Sequence, residues 1–278
     1  MTIPFATCIV LYNPDKGIIK NILRAAEISM HLYVVDNSMK QNQEVLRSIQ
    51  DLESISYINN GKNIGIAAAL NIAARRAIKD GYSYLMTLDQ DSYVLDDMAA
   101  EMLQYEGIDC AAIISPTYLE TTDHLEYAGP RFEPIEVSKT SGSIMNLAIF
   151  SEVGGFVDKL FIDFVDIEYC LRARKHGYVI IRANHAYLRH QIGNLTPHSF
   201  AGKKFFTLNY PPIRYYYQTR NLCYVCSRYF FPFKRQCSRE IITFIKTFSK
   251  ILFIEKSKGM KILHIVKGFR DFLLSRYN

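Results

Sequence analysis

The sequence predicts an α/β protein with a mainly parallel central sheet, followed by amphipathic C-terminal helices. Three observations predict it. Short apolar runs alternate with helical patterns between residues 6 and 115, the order that parallel sheets with helices on both faces require. Two of the runs end on an acid, at Asp36 and Asp89, and the carboxyl edge of such a sheet is where ligands bind. After Pro211-Pro212 the pattern becomes helical and strongly basic. With 278 residues, 49% apolar and 22% charged, the chain can bury a full core, which excludes a disordered or fibrous class.

Each element follows in order. Ala6 to Tyr12 is an apolar strand, and Asn13-Pro14-Asp15 is expected to open a helix running to about Glu27. Leu32 to Val35 is a second strand ending at Asp36, Gln41 to Leu52 a helix, and Ile55 to Ile58 a third strand. Apolar and small residues from Ile64 to Ile78 form a helix with a glycine stop at Asp80-Gly81. Tyr84 to Leu88 is a strand before Asp89, and a helix is expected from about Leu95 to Tyr105, then a strand over Ala111 to Ser115. Thr117 to Thr140, with Pro and Gly, reads as an irregular excursion or hairpin. Gly154-Gly155 marks a turn, Val165 to Lys175 a helix stopped by His176-Gly177, and Tyr178 to Ile181 a strand.

The last quarter differs in charge. Residues 203–278 hold sixteen Lys and Arg against three Asp and Glu, whereas residues 1–202 hold seventeen against twenty-four. Apolar residues at helical spacing, Ile241, Ile245, Phe248 and Leu252, then Ile262, Val266, Phe269 and Leu273, define two amphipathic helices. They are expected to pack on the domain or on a second copy, or to lie on an anionic membrane surface. The division expected is a domain over 1–225 and a basic helical extension over 226–278. No apolar run reaches the ~20 residues that span a bilayer, and residues 1–10 do not read as a signal peptide. Six scattered cysteines suit a reducing cytoplasm; Cys223-x-x-Cys226 lacks a second ligand pair and reads as a helix face. No aromatic-basic RNA motif accompanies the basic tail, so nucleic acid is not an expected partner.

The chemistry-bearing residues come in five ordered groups. Leu11-Tyr12-Asn13 ends the first strand and Asp36-Asn37-Ser38 the second. Asn63-Ile64-Gly65 opens a small-residue helix containing Asn71, at a start where backbone N–H groups favour an anion. Asp89-Gln90-Asp91 follows the fourth strand, where two carboxylates one residue apart can offer oxygen to one hard cation. Gly154-Gly155-Phe156 precedes Asp166-Ile167-Glu168-Tyr169-Cys170-Leu171-Arg172 and Gly177-Tyr178. Each group alone has a plainer account: Asp36 as a turn aspartate, Asn63 and Gly65 as a helix cap, Asp89 and Asp91 as caps of the next helix.

Taken in order and spacing, the five groups resemble the glycosyltransferase family 2 enzymes of the GT-A fold. Within them the chain looks most like bacterial rhamnosyltransferases that build surface polysaccharides. The resemblance covers about residues 5–225. It implies a nucleotide-sugar donor, dTDP-L-rhamnose foremost, contacted by Leu11, Tyr12, Asn13, Asp36, Asn63, Gly65, Asp89 and Gln90. It implies Mg²⁺ or Mn²⁺ on Asp89 and Asp91, with His190, 24 residues beyond Asp166, assisting the metal or diphosphate. Family 2 enzymes place a base aspartate at a helix start, usually in an acidic pair. Here Val165 stands where the first acid is expected and Asp166 matches the base, with Asp163 and Glu168 as competitors and helix capping as the plainer account. Arg214 and Arg220, in a segment with Tyr215, Tyr216 and Asn221, either touch phosphate or acceptor or form a helix packing face. The acceptor implied is a lipid-linked saccharide, which places the enzyme in the cytoplasm, peripheral at the inner face of the membrane. The rivals are a UDP-hexose transferase of the same fold and a non-catalytic nucleotide- or carbohydrate-binding module. A dinucleotide-dependent oxidoreductase is disfavoured because no G-x-G-x-x-G follows the first strand.

Overall fold

The computed structural model describes residues 4–95, 97–105, 107–119, 129–190, 196–200 and 203–276. Chain order begins β1 (Phe5–Leu11), α1 (Ile18–Ile28), β2 (His31–Asp36), α2 (Gln43–Ile49), β3 (Ile55–Asn59), α3 (Ile66–Lys79) and β4 (Tyr84–Asp89). It continues β5 (Ser92–Val94), α4 (Met98–Met102), β6 (Ala111–Leu119), β7 (Phe132–Pro134), β8 (Ser143–Asn146), α5 (Leu147–Val153), α6 (Val165–Lys175) and β9 (Val179–His190). The hairpin β10 (Thr196–Phe200) and β11 (Lys203–Thr207) precedes α7 (Pro212–Tyr229), α8 (Lys234–Phe253) and α9 (Lys258–Leu273). Two compact units result, Met1–Asp158 with Val165–Gln191, and Lys159–Phe164 with Ile192–Asn278.

The first unit is the expected α/β sheet with helices against it. Nine strands run in the order β3-β2-β1-β4-β8-β6-β9-β5, with β7 on β9. The four strands of the β3-β2-β1-β4 half are parallel, and β6 and β9 are parallel further along. β1 is apolar and buried throughout because sheet neighbours flank it on both sides and helices cover its faces. Its core includes Ile9, Leu11, Ile22, Val34, Ile49, Met86 and Met98. α3 packs on β1, β2 and β4 through Ala67, Ala73, Ala74 and Ala77, whose small side chains let the helix come close.

Three local expectations change. The helix expected from Asn13 begins at Ile18, because Asn13 takes a left-handed conformation (φ 47°) that ends the strand. The helix expected over 95–105 is only α4, because Ser92–Val94 is drawn into antiparallel pairing with β9. β8 and α5 were not expected: four residues insert antiparallel between β4 and β6, and Asn146 then caps α5 by accepting from the N–H groups of Ala148 and Ile149. Part of the expected excursion over 117–140, residues 120–128, lies outside the described residues.

In the second unit Tyr215, Ile251 and Ile265 form a core joined by Tyr210, Phe244 and Phe248. A Cβ on Gly268 would lie 2.4 Å from the Tyr216 carbonyl oxygen, so glycine lets α9 lie backbone-close on α7. Lys261 is buried and paired with Glu255 at 2.8 Å, and Tyr215 donates to the same carboxylate. The inward stripe of α8 is Phe244, Phe248 and Ile251. Ile245, Leu252, Val266, Phe269 and Leu273, expected either to pack or to face a membrane, are exposed.

Candidate active site

The chain runs outward from β1 to β2 to β3, then crosses back to place β4 on β1's other side. The carboxyl ends of β1 and β4 therefore meet at a topological switch point, where the connecting segments part and leave a crevice. Parallel register puts Val10 opposite Asp89, Leu11 opposite Asp36, and Asp36 opposite Asn59. Leu11, Tyr12, Asn13, Asp36, Asp89, Gln90 and Asp91 are thereby collected along one edge.

Hydrogen bonds fix that edge. Tyr12 N donates to Gln90 Oε1 (3.0 Å) and Asn21 Nδ2 to the Gln90 carbonyl (3.0 Å), tying β1 and α1 to the segment between the two aspartates. Asn13 N donates to Ser38 Oγ at 2.7 Å. Asp36 is buried; Oδ1 accepts from Ser38 N (2.8 Å), the turn role that local sequence suggests, and Oδ2 accepts from the Tyr57 hydroxyl. Burial, then this bond to a carboxylate, pushes the Tyr57 hydroxyl well above its ordinary range, so it stays a donor. Asn37 Nδ2 donates to the Gly65 carbonyl (3.2 Å) and Gly65 N to Asn63 Oδ1 (3.0 Å), bringing the α3 start to the same edge.

Asp89 and Gln90 are half-buried and Asp91 exposed. Asp89 N donates to Ser141 Oγ (3.0 Å), and Ser141 Oγ bonds Ser92 Oγ (2.6 Å), so the Asp-Gln-Asp turn is held from both ends. Ser92 pairs with His190 in the β5–β9 register, which sets the His190 backbone beside Asp91; its side chain lies outside the described residues. Among the described residues no three of His, Cys, Asp and Glu cluster so as to hold a metal ion unaided.

Asp166 stands in the first turn of α6, half-buried, its Oδ1 accepting from Ile167 N at 2.8 Å. Its charge is felt by the Tyr118 phenol, which burial first and Asp166 further raise to about 12. Tyr118 donates to the Ser141 carbonyl at 2.8 Å, so one side chain links the Asp89 turn to the surroundings of Asp166. Glu168 has a different employment. It is buried, takes a bidentate pair from Arg172 (3.0 and 2.9 Å), and Arg172 reaches on to the carbonyls of Val153, Gly154 and Gly155. Asn71 closes the same turn, donating to the Phe156 carbonyl (2.7 Å) and accepting from Phe156 N (2.9 Å). A Cβ on Gly155 would sit 2.7 Å from Asn71 Oδ1, so only glycine fits.

Asp163, Arg214 and Arg220 belong to the second unit. Arg214 pairs with Asp163 (Nη2 to Oδ1, 3.1 Å) and lies over the Tyr210 ring. Arg220 is buried and donates to the carbonyls of Lys159 and Leu160, while Asn221 Nδ2 holds those of Leu160, Ile162 and Asp163 (2.7, 2.8 and 2.9 Å). These bonds secure a loop in which Phe161, Asp163 and Phe164 all have positive φ, a conformation costly for side-chain-bearing residues. The packing-face account of Arg220 thus has its atoms.

Sequence reasoning quoted Ser38 in its motif without giving it a role, and left out Tyr57, Ser141 and Tyr118. Ser38 carries a signal, being two residues beyond a strand-end aspartate. Tyr57, Ser141 and Tyr118 carry none, because they reach the edge only through long-range pairing.

A parallel sheet with a switch point and Asp36, Asp89 and Asp91 along its carboxyl edge is an arrangement that α/β proteins use to bind ligands. The chain belongs to glycosyl transferase family 2, whose family model matches residues 7–163. That match stops short of Asp166. The dTDP-rhamnosyl transferase RfbF of Shigella flexneri is 29% identical over 235 residues, covering 77% of this chain and 76% of that protein. Among solved structures, S. aureus TarS 1–349 in complex with UDP-GlcNAc superposes with a TM-score of 0.63 at 11% identity, over 98% of this chain and 81% of TarS 1–349. GalNAc-T7 with UDP, GalNAc and Mn²⁺ gives 0.62 at 12% identity, this chain spanning 56% of its length. At such identities the likeness establishes the fold, which is GT-A.

Proposed function

We propose that this glycosyltransferase moves L-rhamnose from dTDP-L-rhamnose to a hydroxyl of a lipid-linked saccharide, with inversion, in surface-polysaccharide (O-antigen or capsule) synthesis. The observation that carries the donor is the similarity to RfbF over three quarters of both chains. In this reading Tyr12, Asn13, Asp36, Asn63 and Gly65 frame the nucleoside, and Asp36 braces that frame through Ser38 and Tyr57. The diphosphate lies by Asp89, Gln90 and Asp91.

Asp89 and Asp91 suit Mg²⁺ or Mn²⁺: two hard oxygen donors at a strand end, with the remaining positions left to phosphate oxygens and water, is how such ions bind substrates. The bound ion would offset charge on the departing nucleoside diphosphate. His190 is retained as a further contact. Asp166 accepts the acceptor's proton as its oxygen bonds the anomeric carbon and the bond from that carbon to the diphosphate breaks, the electron pair leaving on phosphate. Asp166 is favoured because it stands half-buried in the first turn of α6, at the position that matches the family's base, whereas Glu168 is buried. Residues 1–225 act as the transferase domain and 226–278 as a basic extension. No helix among the described residues is long and apolar enough to cross a membrane. In this reading the lipid-linked acceptor is met peripherally, from the cytoplasmic side of an anionic bilayer, by the basic extension.

The test is a donor panel. Purified protein is given dTDP-L-rhamnose, UDP-glucose and UDP-GlcNAc, with Mg²⁺, Mn²⁺ or chelator, and thermal shift and donor hydrolysis are measured. The reading expects metal-dependent stabilisation and turnover with dTDP-L-rhamnose. Preference for a UDP-hexose overturns the donor, and binding without turnover of any donor leaves a non-catalytic module.

A further inference from the structure

The helix α8 carries two apolar stripes where packing needs one. Phe244, Phe248 and Ile251 face the core of the second unit. On the opposite side Ile242 and Ile245 are 51% and 56% exposed, Phe253 is 78% exposed, and Phe231 just before the helix is 84% exposed. These residues recur at helical spacing with the exposed cations Arg235 and Lys246 between them, so apolar tips and positive charge share one face. α9 repeats the arrangement with Val266 and Phe269 beside Lys267.

The carboxylates of the region do not compensate this charge. Residues 203–278 contain three, Glu240, Glu255 and Asp271, against sixteen Lys and Arg. Gln236 donates to Glu240, Glu255 is buried against Lys261, and Asp271 pairs with Arg270 and accepts from Tyr216. A surface with isolated exposed phenylalanines and surplus cations is poorly matched to water and well matched to the headgroup zone of an anionic bilayer, where rings insert and Lys and Arg meet phosphate. A second copy of the chain would bring the same positive face against itself, which charge opposes.

We infer that the outer face of α8, with Phe231 at its head, is the surface by which the protein docks on anionic phospholipid. This deepens the peripheral-membrane part of the proposed function and rests on it for its purpose. The face is distinct from every residue assigned to the reaction, so it can be altered without touching the site.

The experiment is vesicle flotation of the full chain, without nucleotide sugar, on phosphatidylcholine alone and on phosphatidylcholine mixed with phosphatidylglycerol. Wild type is expected to bind only the mixed vesicles and to be released by salt. Two double variants, I245E/F253E and R235E/K246E, are each expected to lose binding by about tenfold or more. Their melting temperatures should hold, since all four side chains are exposed. If wild type binds and both variants bind equally well, the face is wrong while the membrane reading survives. If wild type binds neither vesicle, or both alike, the docking inference fails; donor turnover in solution, measured separately, decides the transferase reading. A concentration-dependent dimer dissolved by I245E/F253E would assign the face to self-association and overturn lipid docking.

Discussion

In the parallel half of the sheet, carboxylates gather where strands stop; in the helices α7–α9, the buried polar side chains satisfy one another. Asp36, Asp89 and Asp91 stand at carboxyl ends set by the β1–β2 and β1–β4 registers. Arg220, Asn221, Lys261 and Glu255 are as polar, yet each is buried among partners from its own unit. The difference teaches that residue type says little about role, and position relative to an element's end says much. Asp89 and Asp91, at the end of β4, keep exposed surface at the edge where ligands bind, whereas Asp36 is buried and braces it. A charge inside a helical unit must be paired, because desolvating it alone would cost several kcal/mol.

The sharpest way to break this contrast is at the switch point. Asp89→Ala and Asp91→Ala should each reduce transfer by about a thousandfold, the scale of several kcal/mol of charge stabilisation. The fold should be kept, because the bond that holds the Asp89 turn to Ser141 uses the backbone N–H. Transfer assays with and without chelator, beside calorimetry, measure both. Wild-type turnover in either variant would remove the edge from the chemistry.

Two acids in one helix sharpen it next. Asp166→Asn should lower turnover by about two to four orders of magnitude with donor affinity little changed. Glu168→Gln should act on stability, costing about 3 kcal/mol, since it leaves the Arg172 guanidinium short of its charge partner. A dead but fully stable Glu168→Gln beside an active Asp166→Asn would reverse the assignment.

Much of this was legible in the sequence, for physical reasons that also mark the limits. Continuous apolar runs gave β1 to β4 and helical patterns gave α3 and α6, because these elements bury one contiguous apolar set each. Asp89, Asp91 and Asp166 could be found because each adjoins an element boundary. β5 and β8 were illegible: strands of three and four residues are held by partners far along the chain, β9 for one and β4 with β6 for the other. Periodicity likewise left open whether the α8 stripe packs or faces outward, and the helix does both, Phe248 packing inward while Ile245 and Leu252 are exposed. With apolar residues on two sides, periodicity cannot tell which side packs, and only the positions of α7 and α9 decide.

Within the helical unit the expected effects are structural. Asn221→Ala frees three carbonyls of the loop over 159–164 and should cost about 2 kcal/mol. Gly268→Ala would force a Cβ against the Tyr216 carbonyl oxygen and should cost about as much, through separation of α9 from α7. Both are read by denaturant unfolding. If Gly268→Ala were neutral, the close approach of these helices would be wrong.

The smallest effect tests the link between the two halves of the candidate site. Tyr118 donates to the Ser141 carbonyl, and Ser141 holds the Asp89 turn. Tyr118→Phe keeps the ring and removes the hydroxyl that donates to the Ser141 and Lys139 carbonyls (2.8 and 3.4 Å), so it should cost about 1 kcal/mol. Turnover should fall by less than about tenfold, that energy being the most the link could pass to the reaction. The phenol also makes a prediction in pH. Burial, with Asp166 adding to it, raises its ionisation from 10.0 to about 12 in the folded protein. The folded state therefore holds this proton where the unfolded state has released it, and stability must fall as pH rises through that window. Other buried tyrosines contribute a similar slope, so the informative quantity is the difference between wild type and Tyr118→Phe. That difference should be constant below about pH 10 and fall between about 10 and 12 far enough to change sign, because two pH units of linkage, about 2.7 kcal/mol, exceed the hydroxyl's own contribution. A difference that stayed flat to pH 12 would mean that Tyr118 ionises freely, and that no buried link joins the Asp89 turn to Asp166.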